Sequence, residues 1–258
     1  MGKTIVFESD RDHELFMQDF LSPSYIEDKF NSWKVLENYD VKNIDFKQSL
    51  INELISKGIA KKEELEKYGN SLENLHKCLH DSKKNLDDTE QNEVSINFYD
   101  ISDGFKKEYL KFLKHNIAKL FSEPIYFQSV PTFRFHFPNQ KGYEWKDRYH
   151  TDIMLGHPPY ELNVWIPFTK VFDSNSMRIT PLKDSLNFIK NSNYDFELFA
   201  KNVQYELDYI NELKAKSEAL NMNYGEFIIF DPRCLHCTQH NQTDVTRISL
   251  DIRIITAE

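Results

Sequence analysis

The chain has 258 residues, 40% of them hydrophobic and 14% aromatic, enough to bury a substantial core, and it is predicted to form one domain over residues 1–258. Its 32 basic and 41 acidic residues leave a net charge of −9, which argues against nucleic-acid and anionic membrane partners and favours a small molecule. The sequence has no run of about eighteen apolar residues and no basic, apolar leader, so we expect a soluble, cytoplasmic protein.

The first part of the chain, residues 1–123, is predicted to be mostly helical, because apolar residues recur at intervals of three and four and glycine is scarce. In its last helix we expect Leu110, Leu113, Ile117 and Leu120 to form one apolar stripe. A polar, acidic stretch over residues 80–95 predicts a mobile loop. The predicted helices cover residues 13–21, 23–36, 46–56, 61–68, 71–79 and 105–121.

The second part, residues 124–258, contains short aromatic and β-branched segments, most of them bounded by Pro, Gly or Asn, which predict strands. A helical insert over residues 184–220 interrupts them. Helices first and then many closely spaced strands favour an α+β protein with a β-sandwich or jelly-roll barrel. The predicted strands cover residues 125–130, 132–137, 148–155, 162–166, 176–180, 226–230 and 246–255.

A candidate metal site begins with His150 and Asp152 in the predicted strand 148–155. Side chains two residues apart lie on the same face of a strand, so both could reach one ion. Completed by a second imidazole, they would form the facial triad of non-haem Fe(II) oxygenases. One His-x-Asp is a weak signal in a chain with nine histidines. The segment between the last two strands offers His236 and His240 as the third ligand.

Cys234 and Cys237 have the spacing of a redox pair or of half a zinc site. The chain has no second Cys pair and no thioredoxin-like strand and helix around this one, so neither interpretation is favoured. With Cys78 they form an odd, sparse set, unlike the disulfide framework of a small secreted domain.

The C-terminal segment resembles the signature of Fe(II)/2-oxoglutarate-dependent oxygenases, and more narrowly of their phytanoyl-CoA-dioxygenase-like and streptomycin-biosynthesis-type branch. The resemblance implies a double-stranded β-helix (jelly-roll, cupin-like) core and a metal site of His150, Asp152 and His236. In that branch an Arg that binds 2-oxoglutarate follows the second metal-binding His of the chain by eleven residues. Arg247 follows His236 by this interval, whereas His240 has no Arg eleven residues later. The residues that carry the resemblance are 225–230, Leu235, His236, Asn241, Thr243 and 246–253.

The same resemblance implies that Arg247 binds the far carboxylate of 2-oxoglutarate, while the other end of this co-substrate and dioxygen take the open positions on iron. A guanidinium is a planar, permanently charged donor suited to a carboxylate. Ser249 lies two residues further along the strand, on the same face, where it can donate a second hydrogen bond.

Polar residues on other predicted barrel strands could also contact 2-oxoglutarate or the substrate, namely Asn163, Gln128 and Arg134. The alternative is that they are polar barrel residues bonded to their neighbours. His136 and His157 have the same two interpretations.

The predicted function is hydroxylation of a small polar metabolite by an Fe(II)- and 2-oxoglutarate-dependent dioxygenase. A sugar or sugar derivative is favoured, because similar family members belong to carbohydrate pathways and Tyr143, Trp145 and Tyr149 could stack on a sugar. The alternative place for these aromatics is the core. Two alternatives for the function stay open: desaturation, epimerisation or ring formation at the same site, and a non-catalytic cupin-like module that binds a sugar or a metal.

Overall fold

The computed structural model describes residues 10–86, 91–140 and 147–256. Its helices are α1 (Asp10–Phe20), α2 (Tyr25–Phe30), α3 (Phe46–Ser56), α4 (Lys62–Lys67), α5 (Asp81–Lys84), α6 (Glu93–Ile96), α7 (Asp103–Phe112), α8 (Leu182–Asn191), α9 (Phe196–Tyr205) and α10 (Leu207–Lys216). Its strands are β1 (Lys34–Asn38), β2 (Ile125–Phe127), β3 (Thr132–His136), β4 (Leu162–Pro167), β5 (Met177–Ile179), β6 (Glu218–Ala219), β7 (Glu226–Phe230), β8 (His236–Thr238) and β9 (Arg247–Thr256).

The strands form two antiparallel sheets. In the described ranges the larger sheet has the order β1-β7-β4-β9-β2, and β3 also pairs with β9, while the smaller sheet has the order β6-β5-β8. The long strand β9 pairs with β4 on one side and with β3 and β2 in succession on the other. Strand β9 therefore lies inside the larger sheet, between β4 and the edge strands β3 and β2.

The alternation along β9 separates the core from a polar face. Ile248, Leu250, Ile252 and Ile254 are completely buried in the core, where each contributes about 1.5–3 kcal/mol by leaving water. This core includes aromatic residues of α3 and α7, and the Phe105 ring lies 5.0 Å from that of Phe133 on β3. The residues of β9 that alternate with these four side chains lie on the opposite face of the sheet.

The predicted helix 105–121 is split into three pieces. Helix α7 is followed by a π-helical turn, Leu113–Ile117, and a 3₁₀ turn, Ala118–Leu120. The predicted stripe is wrong at Leu110, which is 51% exposed. The buried face is formed mainly by Phe105, Tyr109 and Phe112, and the π turn accommodates an extra residue that keeps Ile117 buried.

The prediction of one helix over residues 23–36 is wrong. Ser24 caps α2, and Asn31 ends it in the left-handed conformation with φ 51°. The following residues form β1, which pairs with β7 and places Val35 opposite Ile229. Pairing with the edge of a sheet that is distant in sequence overrides the local helical pattern.

Most other predicted elements agree with the structure. Helix α3 has the predicted bounds. The predicted insert 184–220 contains α9, α10 and most of α8, which begins earlier, at Leu182. The stretch 80–95 is not a loop throughout, because α5 and α6 lie in it and Leu86 bridges to Asn92, while residues 87–90 lie outside the described ranges. Strands β1, β6 and β8 were not predicted. None of the helices in the described ranges is long and apolar enough to span a bilayer.

Candidate metal centre

Three side chains bring possible metal-binding atoms within 4.8 Å of one another: His150, Asp152 and His236. In the described part of the chain, no other group of His, Cys, Asp and Glu meets this condition. His150 and His236 form an antiparallel bridge, with backbone hydrogen bonds of 3.0 and 2.9 Å, and their ring centroids are 4.5 Å apart. His236, in a strand that was not predicted, thus pairs with His150, which is distant from it in sequence.

The predicted strand 148–155 is wrong, and Asp152 reaches the group by a turn. Asp152 has φ −65° and ψ −29°, and it begins a 3₁₀ turn, Ile153–Leu155, which ends at Gly156 with φ 95°. The Thr151 hydroxyl accepts a hydrogen bond from the backbone of Met154 and stabilises this turn. The Asp152 amide donates to the carbonyl oxygen of Pro232, next to the segment that carries His236.

Both imidazoles are oriented by the backbone. The Nδ1 atom of His150 lies 3.0 Å from the carbonyl oxygen of Arg148, and that of His236 lies 3.0 Å from the carbonyl oxygen of Cys234. A carbonyl oxygen only accepts, so each Nδ1 must carry the hydrogen, and the lone pair lies on Nε2. This fixed tautomer is the one that histidine uses when it binds a metal through Nε2.

The charges of the group suit a divalent cation. Burial, helped by the nearby charge of His236, lowers the pKa of His150 to about 4, so its ring is neutral near neutral pH. Burial raises the pKa of Asp152, but His236, Arg253 and His150 outweigh burial and hold it at about 2. Two imidazole nitrogens and one carboxylate oxygen form the donor set of the non-haem Fe(II) triad, which leaves further coordination positions open.

The group lies in a cavity of about 720 Å³ between the two sheets. The larger sheet contributes Arg134, Asn163, Arg247 and Arg253 to its walls, and the smaller sheet contributes Met177 and Thr238. The insert and the segment before α6 reach the cavity through Ala200 and Gln91.

Arg247 lines the same cavity as His150, Asp152 and His236, and it is a buried cation with few hydrogen-bond partners. The residue is 1% exposed, its guanidinium carbon is 6.0 Å from the centroid of the Trp165 ring, and Nη2 lies 3.4 Å from the Thr238 hydroxyl. Nε and Nη1 have no hydrogen-bond partner among the described residues, and neither has the Ser249 hydroxyl. Both amide atoms of Asn163 are likewise buried without one. The N–H groups of Arg247 and Asn163 and the Ser249 hydroxyl are donors that fit a carboxylate entering the cavity.

Gln128 and Arg134 also line the cavity, but both have partners. The Arg134 guanidinium lies 3.1 Å from Asp251 and is 46% exposed. The side-chain amide of Gln128 donates to Thr132 at 3.3 Å. Their contact with co-substrate or substrate stays a prediction.

Of the three aromatic residues predicted to stack on a sugar, Tyr149 is the one within the described residues. Tyr149 is fully buried, and its hydroxyl is 2.7 Å from that of Ser217, so it belongs to the core. Tyr143 and Trp145 lie outside the described residues. The cysteines are free thiols, and Cys234 and Cys237 are buried with pKa values raised by burial, which fits neither a redox pair nor a zinc site.

A network next to Asp152 was not predicted. Nη2 of Arg253 lies 2.9 Å from Oδ2 of Asp152, and its Nε lies 3.4 Å from Glu161. Glu161 in turn lies 2.8 Å from Nδ1 of His157, and their hydrogen bond raises the pKa of that histidine. One indication of this network was present in the sequence: Arg253 is an even number of residues from Arg247 and Ser249 along β9, so its side chain lies on the same face.

The chain belongs to the phytanoyl-CoA dioxygenase (PhyH) family, whose model matches residues 54–249. This membership, together with the two antiparallel sheets, confirms the predicted α+β fold with a jelly-roll core. Family membership and the group of His150, Asp152 and His236 also confirm the predicted cofactors: Fe(II), 2-oxoglutarate and dioxygen.

Among curated proteins, the chain is similar to the streptomycin biosynthesis protein StrG of Streptomyces griseus, with 26% identity over 159 residues. The match covers 61% of this chain and 60% of StrG. The structure of AviO1 from Streptomyces viridochromogenes Tue57 has a TM-score of 0.50 at 11% identity, with 88% of this chain and 92% of AviO1 covered. The carbocyclase SnoK from nogalamycin biosynthesis has a TM-score of 0.45 at 12% identity, with 100% and 88% covered.

Proposed function

We propose that this chain is an Fe(II)/2-oxoglutarate-dependent oxygenase in which His150, Asp152 and His236 bind the iron and Arg247 binds the far carboxylate of 2-oxoglutarate. The observation that carries the proposal is a buried, under-bonded guanidinium in the same cavity as a preorganised His-Asp-His group. When bound, iron would supply the oxidative decarboxylation of 2-oxoglutarate by dioxygen to succinate and CO₂, in which one oxygen atom enters succinate and the other oxidises a substrate C–H bond.

The protein residues bind and orient in this proposal. The two imidazoles present Nε2 because backbone carbonyls hold their Nδ1–H groups, so little reorganisation is needed when the ion binds. The Asp152 carboxylate supplies the negative charge. Arg247 and Ser249 supply donors to the distal carboxylate, and Trp165 packs against the guanidinium and shields it from water.

The substrate class that we propose is a small polar metabolite, with a sugar or sugar derivative favoured, and the outcome that we propose is hydroxylation. The cavity wall carries Asp251, Thr132, Gln128 and Arg134, whose polar groups suit a substrate with several hydroxyl groups. Tyr126 lies at the same wall and is 67% exposed, so its ring offers an apolar surface for stacking. The name of StrG places that relative in streptomycin biosynthesis, which supports a carbohydrate substrate.

The test begins without oxygen. Purified protein is mixed with Fe(II) and 2-oxoglutarate, and the visible charge-transfer absorption of the chelated co-substrate is recorded. We expect the band in the unmutated protein and its loss in His150→Ala and His236→Ala. His240→Ala is the matched control, since His240 lies four residues from His236 but outside the group.

Adding dioxygen and assaying succinate then tests turnover. If His240→Ala lost the band and His236→Ala kept it, the assignment of His236 as the third metal ligand would be wrong. Absence of the band and of succinate in the unmutated protein would favour the non-catalytic module.

A further inference from the structure

The two oxygens of the Asp152 carboxylate lie in different surroundings. Oδ1 faces the other ligand atoms, at 3.7 Å from Nε2 of His236. Oδ2 lies 2.9 Å from Nη2 of Arg253. Nη2 of Arg253 and Oδ2 of Asp152 form an ion pair at this distance without the angles of a hydrogen bond. One carboxylate oxygen therefore lies near the other ligand atoms, while a cation lies against the second oxygen.

Arg253 is itself held in place. Its Nε lies 3.4 Å from Oε1 of Glu161, and this same oxygen lies 2.8 Å from Nδ1 of His157. The side chains of Arg253 and Glu161 are only 20% and 11% exposed, so solvent screens the ion pairs weakly. The carboxylates of Asp152 and Glu161 thus fix the guanidinium from two sides.

A carboxylate needs such a restraint if it is to use only one oxygen. The last torsion of an Asp side chain is broad and roughly two-fold, so rotation alone can bring the second oxygen toward an ion. A carboxylate that binds through both oxygens occupies two positions of the metal. In a site that must also accept 2-oxoglutarate and dioxygen, that second position is required elsewhere.

We propose that Arg253, anchored by Glu161, is a positioning residue that restrains Asp152 to bind the metal through Oδ1 alone. The inference rests on the proposed function, since it requires Asp152 to be a ligand. It assigns Arg253 a role distinct from that of Arg247, which has no contact with Asp152 among the described ion pairs. Glu161 acts on the metal only through Arg253.

The experiment measures metal binding rather than turnover. Arg253→Met removes the donors and keeps most of the apolar stem, and Glu161→Gln removes the anchoring charge without touching Asp152. Arg253→Lys restores one donor. Arg178→Met is the control, since Arg178 is similarly half-buried and makes three hydrogen bonds, to Lys214 and Ser217, outside the cavity.

Each variant, first verified as folded by circular dichroism, is titrated anaerobically with Fe(II) and, for its d–d spectrum, with Co(II). Loss of an outer contact to a ligand weakens metal binding by roughly tenfold to a hundredfold, so we expect this for Arg253→Met. A smaller loss is expected for Glu161→Gln, and partial recovery for Arg253→Lys. The Co(II) band of Arg253→Met should change in intensity, because coordination number governs it. Arg178→Met should bind like the unmutated protein.

Unchanged affinity and an unchanged Co(II) spectrum in both Arg253→Met and Glu161→Gln would overturn the inference while leaving the proposed function intact. Normal metal binding with weakened 2-oxoglutarate binding in Arg253→Met would also overturn it, because Arg253 would then bind the co-substrate. Failure of the unmutated protein to bind either metal would overturn the proposed function and the inference together.

Discussion

The buried guanidinium of Arg247 leads to an unusual expectation: removing it should stabilise the protein that lacks metal and co-substrate. Arg247 is 1% exposed, and two of its three nitrogens have no partner among the described residues. A buried charge without partners costs free energy, and replacement by a well-packed apolar side chain recovers it. The change that tests this is Arg247→Met.

The magnitude follows from the pKa. Burial lowers the pKa of Arg247 well below its ordinary value, to about 10, so near neutral pH the charged form is destabilised in the folded state. At about 1.36 kcal/mol per pKa unit this cost is on the order of 3 kcal/mol. The contact with Trp165 and the 3.4 Å bond to Thr238 offset it by about 1 kcal/mol. We therefore expect Arg247→Met to raise the free energy of unfolding by about 2 kcal/mol.

Urea denaturation of the metal-free protein measures this difference. Arg178→Met is the contrasting control, because its three hydrogen bonds are satisfied and their loss should lower stability by about 1–3 kcal/mol. With Co(II) present, 2-oxoglutarate at a hundred times its Kd should add about 2.7 kcal/mol to the unmutated protein and much less to Arg247→Met. A less stable Arg247→Met, or one that 2-oxoglutarate stabilises equally, would refute the reasoning.

Three further predictions concern the same cavity. Arg247→Lys keeps the charge but loses the planar guanidinium. The 2-oxoglutarate concentration that half-saturates succinate formation should therefore rise roughly tenfold to a hundredfold, while iron binding is retained. An unchanged concentration would indicate that Arg253 or Arg134 binds the co-substrate. In the proposed site, Asp152 occupies the position that a halide would need. The unmutated protein should therefore form succinate but no brominated product in bromide, and a bromine isotope pattern by mass spectrometry would contradict Asp152 as a ligand. Helix α9 of the insert borders the cavity at Ala200. Limited proteolysis should therefore show protection of the insert when metal, 2-oxoglutarate and a substrate bind, and equal cleavage would contradict closure.

Patterns that repeat within one segment were predictable from the sequence. The alternation along β9, the bounds of α3, and the spacing of His236 and Arg247 are local properties, because side-chain direction follows from residue number within a helix or strand. The three residues of the candidate metal group could be named without knowing their backbone conformation. Their chemical types and intervals carried the information.

The failures occur where a contact between distant segments overrides the local pattern. Residues 34–38 form a strand because β7 offers an edge, and Asp152 reaches the metal group through a 3₁₀ turn, although the sequence suggested an extended strand. The prediction that His150 and Asp152 converge was confirmed, but the reason given for it was wrong. Their convergence depends on the bridge between His150 and His236, which no local periodicity specifies.

Only the tertiary structure decided which polar residues already have partners. The sequence singled out Arg247 by its interval from His236 but did not show the partners of Arg134, Arg247 and Arg253. Arg134 pairs with Asp251, Arg247 is buried with few partners, and Arg253 forms an ion pair with Oδ2 of Asp152. These differences arise from strand register and from segments about a hundred residues apart that meet in one cavity. A charge's partners are set by distance in space, so residue type alone could identify the candidates but could not assign their roles.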